Sequence, residues 1–478
     1  MAAGSTLALS SPTSPTEGDR LTFHWTTSAP DAKNWVGIYD GTRQPGTGAS
    51  LLWKYTPGGS GDVQLDTSAL TGGPYTAYLL AKDGYGILAQ SAPFTFRPKP
   101  ALARPHAVVD ALTATPVAPG AAVGVKLGRL WARPAGNPVG SATFRKTGGD
   151  SWLSVGADGT VTGTAPGTAL AHPALVTVGV KDSAGATDAL TVQVPVLAPT
   201  APVRLKVATW NLWDAGTHVT DALEKQLRVI LTQGLDALAL QETAGTAAQA
   251  LADALGWYAY QSPGSVGILS RHPLAAVTPV TATLPAAAAT LQLPGGRSVR
   301  LWAAHLDEAN YGPWAAQDGS SAAQVEAAEN ASVRLQQAKA LATAVRADLA
   351  AGAAVVLGAG LSSPSHLDWT AATAPAHSGV GPVNWPVTVA LQAAGLTDSF
   401  RRAHPDPAAA PGNTWSPTRK VRGSKPEPQD RIDQVQFAGP LTLAEAHTLV
   451  TGWPQADPGA AANGWPSDTA AAVATFTL

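Results

Sequence analysis

The sequence predicts a multidomain protein in which two all-β sandwiches precede an α/β layered sandwich. Three observations predict this architecture. Short segments with a two-residue hydrophobic period dominate the N-terminal part of the chain. Proline-rich segments at residues 97–105 and 198–202 interrupt this pattern, as linkers do. From Val203 onward, strand-like and helix-like segments alternate, which is typical of α/β domains. We therefore expect domains at residues 1–98, 104–197 and 203–478.

The composition narrows the class of protein. A chain of 478 residues is too long for one hydrophobic core. Apolar residues make up 45% and charged residues 13%, which suits a folded chain rich in buried strands and argues against disorder. The 31 basic and 33 acidic side chains nearly cancel, so nucleic acid is a less expected partner. The sequence has no cysteine, which excludes disulfides, thiolate metal sites and cysteine nucleophiles.

No apolar run is long enough to predict a transmembrane segment, and the first residues have no signal-peptide pattern. Two leading sandwiches are nevertheless typical of exported proteins. We therefore expect a secreted or cell-surface protein.

The first segment alternates Leu21, Phe23 and Trp25 with polar residues, the pattern of a half-buried strand. Similar runs, separated by glycine- and proline-rich turns, predict a sandwich. They lie at residues 35–39, 51–55, 75–81 and 93–96. Residues 34–39 resemble a strand of sandwich domains attached to phosphatases. The expected role is that of a spacer or docking domain.

The second segment contains a predicted hairpin at residues 152–163, turning at Asp158 and Gly159. Alternating valines follow at residues 176–180 and 192–196. This segment resembles the cadherin-like or Ig-like modules of bacterial surface and secreted proteins. The resemblance implies a β-sandwich, and surface or polymer contacts are compatible with it.

The third segment predicts a mixed sheet with helices. Expected strands lie at residues 203–209, 237–240, 266–270, 298–305, 354–357, 432–437 and 473–478. Helices are expected at residues 220–232 and 246–255, and a long alanine-rich helix at 322–351.

Polar motifs follow many of these strands, in an order that resembles the endonuclease/exonuclease/phosphatase superfamily. They are Thr209-Trp210-Asn211, Gln241-Glu242, His305-Leu306-Asp307, Asp398-Ser399-Phe400, Thr414-Trp415-Ser416-Pro417, Asp430-Arg431-Ile432-Asp433 and Ser467-Asp468. Strand ends are the usual place for ligands in open α/β sheets. The resemblance implies a four-layer, DNase I-like fold and metal-dependent hydrolysis of phosphodiesters or phosphomonoesters.

The resemblance also implies roles for individual residues. Glu242 and Asp468 would hold Mg²⁺, or Mn²⁺ or Ca²⁺, because hard cations need carboxylate oxygens. Asn211 would be a polar donor beside them. His305 would bind a phosphate oxygen or protonate the leaving group. Asp433 would orient a catalytic histidine.

Substrate contacts are expected from Tyr311, Trp415 and Arg431. Tyr311 and Trp314 either form an aromatic wall after His305 or pack against the following helix. The basic residues between 419 and 425 either attract an anionic substrate at the pocket rim or lie in a solvated loop.

Three positions depart from the family pattern. The Asp and Asn of its Gly-Asp-x-Asn motif fall on Gly360 and Ser362, or on Ala359 and Leu361 with one residue of slippage. The histidine of its Ser-Asp-His motif is Thr469. Removing one positioned acid or base typically costs about 10²–10⁴ in rate. The sequence therefore predicts a degenerate phosphoesterase-family protein, whose metal is weakly bound if at all and whose ligand is a small phosphoester or a phospholipid-type molecule.

Two alternatives stay open. The domain could be an active phosphodiesterase or phosphatase with a rearranged site, in which His366, Asp368 or His377 replaces the missing base. Alternatively, the chain could be a surface binding or adhesion protein that uses the domain as an interaction module.

Overall fold

The computed structural model describes residues 4–12, 15–17, 19–40, 43–67, 70–96, 105–132, 142–452 and 454–478. The chain divides into two compact units. The first contains residues 1–101 with the short pieces 451–454 and 463–465, and the second contains the rest. Among the described residues, no helix is both long and apolar enough to cross a membrane.

In the first unit, two antiparallel sheets pack as a β-sandwich. Their strand orders are β1-β2-β5 and β4-β3-β6-β7. Leu21, Phe23 and Trp25 point into the core, where they meet Val36 and Ile38 of the facing sheet. The strands are β1 (Thr6–Ser11), β2 (Leu21–Thr26), β3 (Trp35–Asp40), β4 (Leu52–Tyr55), β5 (Ser60–Leu65), β6 (Tyr75–Ala81) and β7 (Gly86–Gln90). The strand predicted at 93–96 is wrong, since Phe94 forms an isolated bridge with Tyr75.

The second unit begins with another sandwich. Its larger sheets have the strand orders β10-β14-β13 and β12-β15-β16-β9, and β11 pairs with β8. The alternating valines of β15 and β16 point into its core, with Val176 opposite Val192. The predicted hairpin is β13–β14. The strands are β8 (His106–Ala107), β9 (Ala111–Thr113), β10 (Ala122–Lys126), β11 (Trp131–Ala132), β12 (Ala142–Gly149), β13 (Leu153–Val155), β14 (Thr160–Thr164), β15 (Ala174–Asp182) and β16 (Thr187–Val194).

The α/β domain of the second unit is built on fourteen strands. They are β17 (Arg204–Asn211), β18 (Ala237–Gln241), β19 (Tyr258–Gln261), β20 (Gly267–Ser270), β21 (Leu274–Thr278), β22 (Ala286–Gln292), β23 (Ser298–His305), β24 (Val355–Gly360), β25 (Thr397–Asp398), β26 (Val421–Arg422), β27 (Lys425–Pro426), β28 (Asp433–Ala438), β29 (Thr442–Leu449) and β30 (Ala471–Thr477). Its helices are α1 (Ala222–Thr232), α2 (Ala247–Leu255), α3 (Gly312–Gln317), α4 (Ala322–Asn330), α5 (Val333–Ala350), α6 (Pro386–Ala393) and α7 (Ser399–Ala403).

These elements form four layers. Two six-stranded sheets, ordered β19-β20-β18-β17-β30-β29 and β21-β22-β23-β24-β28-β25, pack face to face. Side chains such as Val207, Leu301 and Val356 fill the space between them. Helix α2 packs against β19 and β20, and α5 and α6 cover the outer face of the other sheet. The predicted fold class, two sandwiches followed by a four-layer α/β sandwich, is confirmed.

The long helix predicted at 322–351 is wrong in one respect, because it is broken between α4 and α5. Ser332 lies at the break, where its hydroxyl donates to the Glu329 carbonyl and accepts from the Leu335 amide. A serine that caps a helix start in this way replaces the missing backbone bonds of the new first turn. Alanine content alone favours helix and gives no signal for such a break.

Candidate active site

Strand ends from both sheets of the α/β domain border one cleft. In the first sheet, Asn211 ends β17 beside Gln241 of β18, and Glu242 follows directly. In the second sheet, His305 of β23 pairs with Gly360 of β24, which also pairs with Asp433 of β28. The cleft has a volume of about 420 Å³. Its lining is Asn211, Glu242, His305, Glu308, Ala309, Asn310, Tyr311, Trp314, Gly360, Ser362, Trp415, Ile432, Asp433 and Thr469.

Glu242 and Asn211 lie together in the cleft. The Asn211 side-chain amide donates to Glu242 Oε1 at 2.7 Å, and the Asp214 backbone amide donates to Glu242 Oε2 at 3.1 Å. Glu242 has φ of 50°, a left-handed conformation that is uncommon for a non-glycine residue. The turn after β18 therefore fixes where the carboxylate points.

His305 faces Glu242 from the second sheet. Its Nδ1 lies 2.7 Å from the Ser265 hydroxyl, which also accepts a hydrogen bond from the Glu242 backbone amide. Burial lowers the pKa of His305, and the nearby negative charges of Glu242 and Glu308 oppose that shift. Because the Ser265 hydroxyl holds Nδ1, Nε2 is the ring nitrogen left for the cleft, as a ligand when unprotonated or as a donor when protonated.

Glu242, His305 and Glu308 form a cluster that could hold a cation. One ligand atom from each residue lies within 4.8 Å of the others. Glu308 was not predicted from the sequence, although it is acidic and comes three positions after His305. The signal is weak because the loop conformation that brings Glu308 to His305 depends on contacts with distant residues.

Asp468, the other predicted metal ligand, has a cationic neighbour of its own. Its carboxylate lies 3.7 Å from Arg419 Nε. Burial, with a smaller contribution from the charge of Glu242, raises the pKa of Asp468 to about 7, against the opposing effect of Arg419. Glu242 and Asp468 are thus close enough to interact electrostatically, but Arg419 competes with a cation for the Asp468 carboxylate.

Asp433 is buried beneath the cleft. Burial, assisted by the charges of Asp468 and Glu242, raises its pKa to about 7. The backbone amides of Ile432 and Asp433 donate to the Thr414 hydroxyl, each at 3.0 Å. Thr469 lines the same cleft and offers a hydroxyl instead of the imidazole that Asp433 would orient.

Gly360 and Ser362 line the cleft, whereas Ala359 and Leu361 point into the hydrophobic core under the helices. This difference favours the first of the two alignments that the sequence left open, the one with Gly360 and Ser362. A Cβ atom at Gly360 would lie 3.4 Å from Asp433 Oδ1 and from His305 Cδ2. Those are ordinary contact distances, so a methyl group at this position would fit without displacing its neighbours.

Aromatic side chains form one wall of the cleft. Tyr311 is mostly buried and donates its hydroxyl proton to Asp430 Oδ2 at 3.0 Å. The indole N–H groups of Trp314 and Trp415 both donate to Glu427 Oε1 at 2.9 Å. These bonds hold the rings in place, so the aromatic-wall alternative agrees with the structure.

Arg431 is placed away from the cleft, against the expectation that it contacts substrate. Its side chain is 1% exposed, and its guanidinium donates to Asp398 and Asp368 at 2.6 and 2.9 Å. The same carboxylates raise its pKa against the effect of burial. A fully buried, doubly paired arginine stabilises the loop and is not free to bind substrate.

The three candidate replacement bases are held by residues that do not line the cleft. His366 bonds to Thr388 and Gln392, and Asp368 is paired with Arg401 and Arg431. His377 stacks on Trp369 with ring centroids 4.2 Å apart.

The basic residues of the 419–425 segment are partnered in the structure. Arg422 and Lys425 both pair with Asp318, and Arg419 pairs with Asp457 and Asp468. Lys420 Nζ donates to the Ser416 carbonyl. Arg422 and Lys425 share one carboxylate and Lys420 contacts only neutral acceptors, so the segment keeps some positive charge at the surface.

Comparison with known proteins gives a sequence relative and several structural neighbours. No family model matches the chain. An uncharacterized protein of Caenorhabditis elegans is 31% identical over 291 residues, which cover 57% of this chain and 91% of the relative. An endonuclease/exonuclease/phosphatase protein from Beutenbergia cavernae is 17% identical over 57% of this chain and 72% of its own, with a TM-score of 0.36. A protein of the same description from Bacteroides thetaiotaomicron is 13% identical over 58% of this chain and 99% of its own, with a TM-score of 0.37. Both solved structures carry the family description that the sequence motifs predict.

Proposed function

We propose that this chain, which belongs to the same family as the C. elegans protein, uses its α/β domain to bind phosphoesters. The domain is of the endonuclease/exonuclease/phosphatase type, and its catalysis is lost or strongly reduced. The name of the C. elegans protein gives no activity, so the proposal is based on the cleft. One observation carries it. Gly360, Ser362 and Thr469 all line the cleft that contains Glu242 and His305.

The chemistry of the cleft residues supports retained binding. Glu242, Glu308 and His305 are the residues that would hold a divalent cation, with Asp468 nearby. A bound cation would polarise a phosphoryl oxygen and lower the pKa of a coordinated water. An imidazole in the donor set suits Mn²⁺ or Zn²⁺ better than Mg²⁺, which prefers oxygen ligands. The unclaimed His305 Nε2 could alternatively bond a phosphate oxygen.

The same residues argue against efficient turnover. Gly360 has no side chain to orient an attacking water, and the hydroxyls of Ser362 and Thr469 are poor bases at neutral pH. Each lost acid or base removes about 10²–10⁴ in rate, equivalent to about 3–5 kcal/mol of barrier. Such losses do not add within one constellation, but the absence of the Asp and His side chains at Gly360 and Thr469 suffices to suppress catalysis.

The size and lining of the cleft favour a small ligand. A volume of about 420 Å³ with an aromatic wall fits a small phosphoester or a phospholipid headgroup. The chain as a whole has no basic excess, with 31 basic and 33 acidic side chains, which argues against a polyanion such as nucleic acid. The two leading sandwiches make a secreted or cell-surface location the expected one.

Hydrolysis assays test the proposal. Bis(p-nitrophenyl) phosphate and p-nitrophenyl phosphate would be incubated with the wild-type protein and Glu242→Ala, with and without Mg²⁺ or Mn²⁺. We expect equal, background rates for the two proteins. Metal-dependent turnover that disappears in Glu242→Ala would mean that the site is active and the proposal wrong.

Cation binding tests the other half of the proposal. Calorimetric titration of the wild-type protein with Mn²⁺ should give a saturable heat of binding. The Mn²⁺ affinity of the Glu308→Ala protein should be at least about tenfold weaker. The matched control is Asp62→Ala, which removes an exposed carboxylate from the first sandwich. Equal Mn²⁺ affinity in the Glu308→Ala and Asp62→Ala proteins would rule out Glu308 as a ligand.

A further inference from the structure

The outer face of one sheet in the first sandwich carries a group of aromatic side chains. In the sheet β4-β3-β6-β7, Trp35 lies opposite Tyr55, and Gly37 lies opposite Trp53. Directly opposite residues point to the same face of a sheet. Because Val36 and Ile38 point into the core, Trp35, Trp53 and Tyr55 lie on the outer face.

The rings contact one another edge to face. Trp35 lies 6.1 Å from both Trp53 and Tyr85, and Trp53 lies 5.1 Å from Tyr55. A Cβ atom at Gly37 would come within 2.6 Å of the Trp35 ring. Because Gly37 has no side chain, the Trp35 indole can pack flat against the sheet at this position. We call Trp35, Trp53, Tyr55 and Tyr85 the aromatic platform.

Three of the four rings of the aromatic platform are open to solvent, and Trp35 lies beneath them. Trp53 is 56% exposed, Tyr85 54% and Tyr55 44%. They border a shallow hollow of about 430 Å³ that also includes Ser50 and Asp83. Large aromatic side chains that are grouped and exposed commonly mark a binding surface, whereas singly scattered ones need no explanation.

Polar groups at the edge of the platform are fixed in position. The Tyr55 hydroxyl and the Lys33 ammonium both donate to Asp83, each at 2.7 Å. The Trp35 indole N–H donates to the Gly84 carbonyl at 3.1 Å, which ties the 82–85 turn to β3. The Asp83 carboxylate thus lies preorganised beside the rings, with lone pairs left to accept further hydrogen bonds.

We propose that the aromatic platform binds carbohydrate chains. A pyranose ring presents a face of weakly positive C–H groups, which packs on the electron-rich face of an indole or phenol. Its hydroxyls would donate to Asp83 and exchange hydrogen bonds with Ser50. Rigid aromatic contact area combined with a few placed polar groups is what such a ligand requires.

The charges around the platform argue against phosphate-bearing ligands. Lys33 pairs with Asp83, and Lys82 lies 3.9 Å from Asp31. These pairs leave the surface without the excess of positive charge that nucleic acids or anionic lipids need. The Asp83 carboxylate at the edge of the platform accepts hydrogen bonds but cannot pair with a phosphate anion. A neutral polymer with many hydroxyls needs no such pairing.

Affinity electrophoresis of the full chain tests this inference. The gels would contain laminarin, xylan, galactomannan or mannan, with chitohexaose tested by calorimetry. We expect at least one of these to bind, and the Trp53→Ala and Tyr85→Ala proteins to bind at least about tenfold more weakly. Trp53→Phe keeps a ring at the site and should retain part of the affinity. The matched control is Tyr258→Ala, an aromatic residue 48% exposed on the α/β domain.

Two results of the carbohydrate assays would overturn the inference. One is wild-type protein that binds none of these five carbohydrates. The other is carbohydrate binding that the Trp53→Ala protein keeps, with unchanged far-UV circular dichroism. Phosphatidylserine/phosphatidylcholine vesicles serve as the competing probe, and vesicle binding that is lost in Trp53→Ala would also contradict it. None of these results depends on hydrolysis at the α/β cleft.

Discussion

Gly360 stands between His305 and Asp433 at the end of β24. Both strand partners line the same cleft as Glu242. Under the proposed function, the loss of catalysis would be confined to a few side chains. The cleft would then keep its shape while lacking the groups that move protons.

Asp430, behind the aromatic wall, should make the stability of the protein depend on pH. It accepts hydrogen bonds from Trp369 Nε1 and Tyr311 Oη, and burial raises its pKa to about 7. In the unfolded chain an aspartate titrates near 4. Between about pH 4 and 7 the folded state therefore binds more protons than the unfolded state, and the free energy of unfolding falls as the pH rises.

Asp430→Asn removes this titration. One pKa unit corresponds to about 1.4 kcal/mol, so from pH 5 to pH 8 the variant should gain stability relative to wild type by a few kcal/mol. Urea denaturation at the two pH values measures the difference. The control is Asp253→Asn, at an exposed site. Its free energy of unfolding should differ from that of wild type by the same amount at both pH values. A pH-independent difference for Asp430→Asn would contradict the assignment.

Helix α5 holds the loop that carries Glu308 and Tyr311. Arg334, which is fully buried, donates from Nη1 to the carbonyls of Asp307 and Ser362 at 3.0 and 2.9 Å. It also donates to the carbonyls of Ala309 and Asn310, and it pairs with buried Glu329 at 3.3 Å. One guanidinium thus fixes both the loop after β23 and the turn after β24.

Arg334→Met should therefore destabilise the α/β domain and weaken cation binding together. Removing one partner of a buried ion pair typically costs about 3–5 kcal/mol. The control, Arg346→Met, changes an exposed arginine of the same helix and should cost less than about 0.5 kcal/mol. Urea denaturation and Mn²⁺ titration measure the two effects. A stable Arg334→Met protein with unchanged Mn²⁺ affinity would show that the loop is held in another way.

Sequence patterns predicted the elements whose side chains alternate clearly, such as β2, β17 and β23. They gave no strand at β22, where Ala286 to Ala289 are all buried between layers. Alanine favours helix intrinsically, but here its small side chain lets a strand lie between two packed layers. The break between α4 and α5 was missed for a related reason, because a single capping serine decides it.

The order of polar motifs along the chain predicted most of the cleft, including Asn211, Glu242, His305 and Gly360. The misplaced residue, Arg431, stands next to a site residue in sequence. Its guanidinium turns away from the cleft because Asp368 and Asp398 neutralise it in the interior. Glu308 was missed because Arg334, a residue far along the chain, sets its loop. Long-range contacts of this kind leave no periodic signal in the sequence.

The second sandwich and the α/β domain lie within one compact unit, and specific bonds join them. His106 Nε2 lies 3.0 Å from Glu224 Oε1, and Arg228 Nε donates to the Val108 carbonyl at 3.1 Å. Arg271 Nη1 donates to the Thr113 carbonyl at 2.8 Å while its Nε lies 3.4 Å from Asp236. We expect the two modules to unfold in one transition.

Arg271→Met should lower the urea midpoint, because it leaves the half-buried Asp236 without its cation and removes a bond between the modules. The expected cost is about 3–5 kcal/mol. Arg129→Met is the matched control, since Arg129 forms an exposed pair with Asp253 that should contribute about 0–1 kcal/mol. Equal midpoints for the two variants would mean that Arg271 does not couple the modules.

The most direct measurement is a rate comparison in one assay of Mn²⁺-dependent bis(p-nitrophenyl) phosphate hydrolysis. It compares wild type, Glu242→Ala and the triple variant Gly360→Asp/Ser362→Asn/Thr469→His, which returns the three family side chains. We expect wild type to match Glu242→Ala and the triple variant to exceed both by about 10² or more. A wild-type rate that is already metal-dependent, is lost in Glu242→Ala and equals that of the triple variant would contradict a cleft that has lost its catalytic groups.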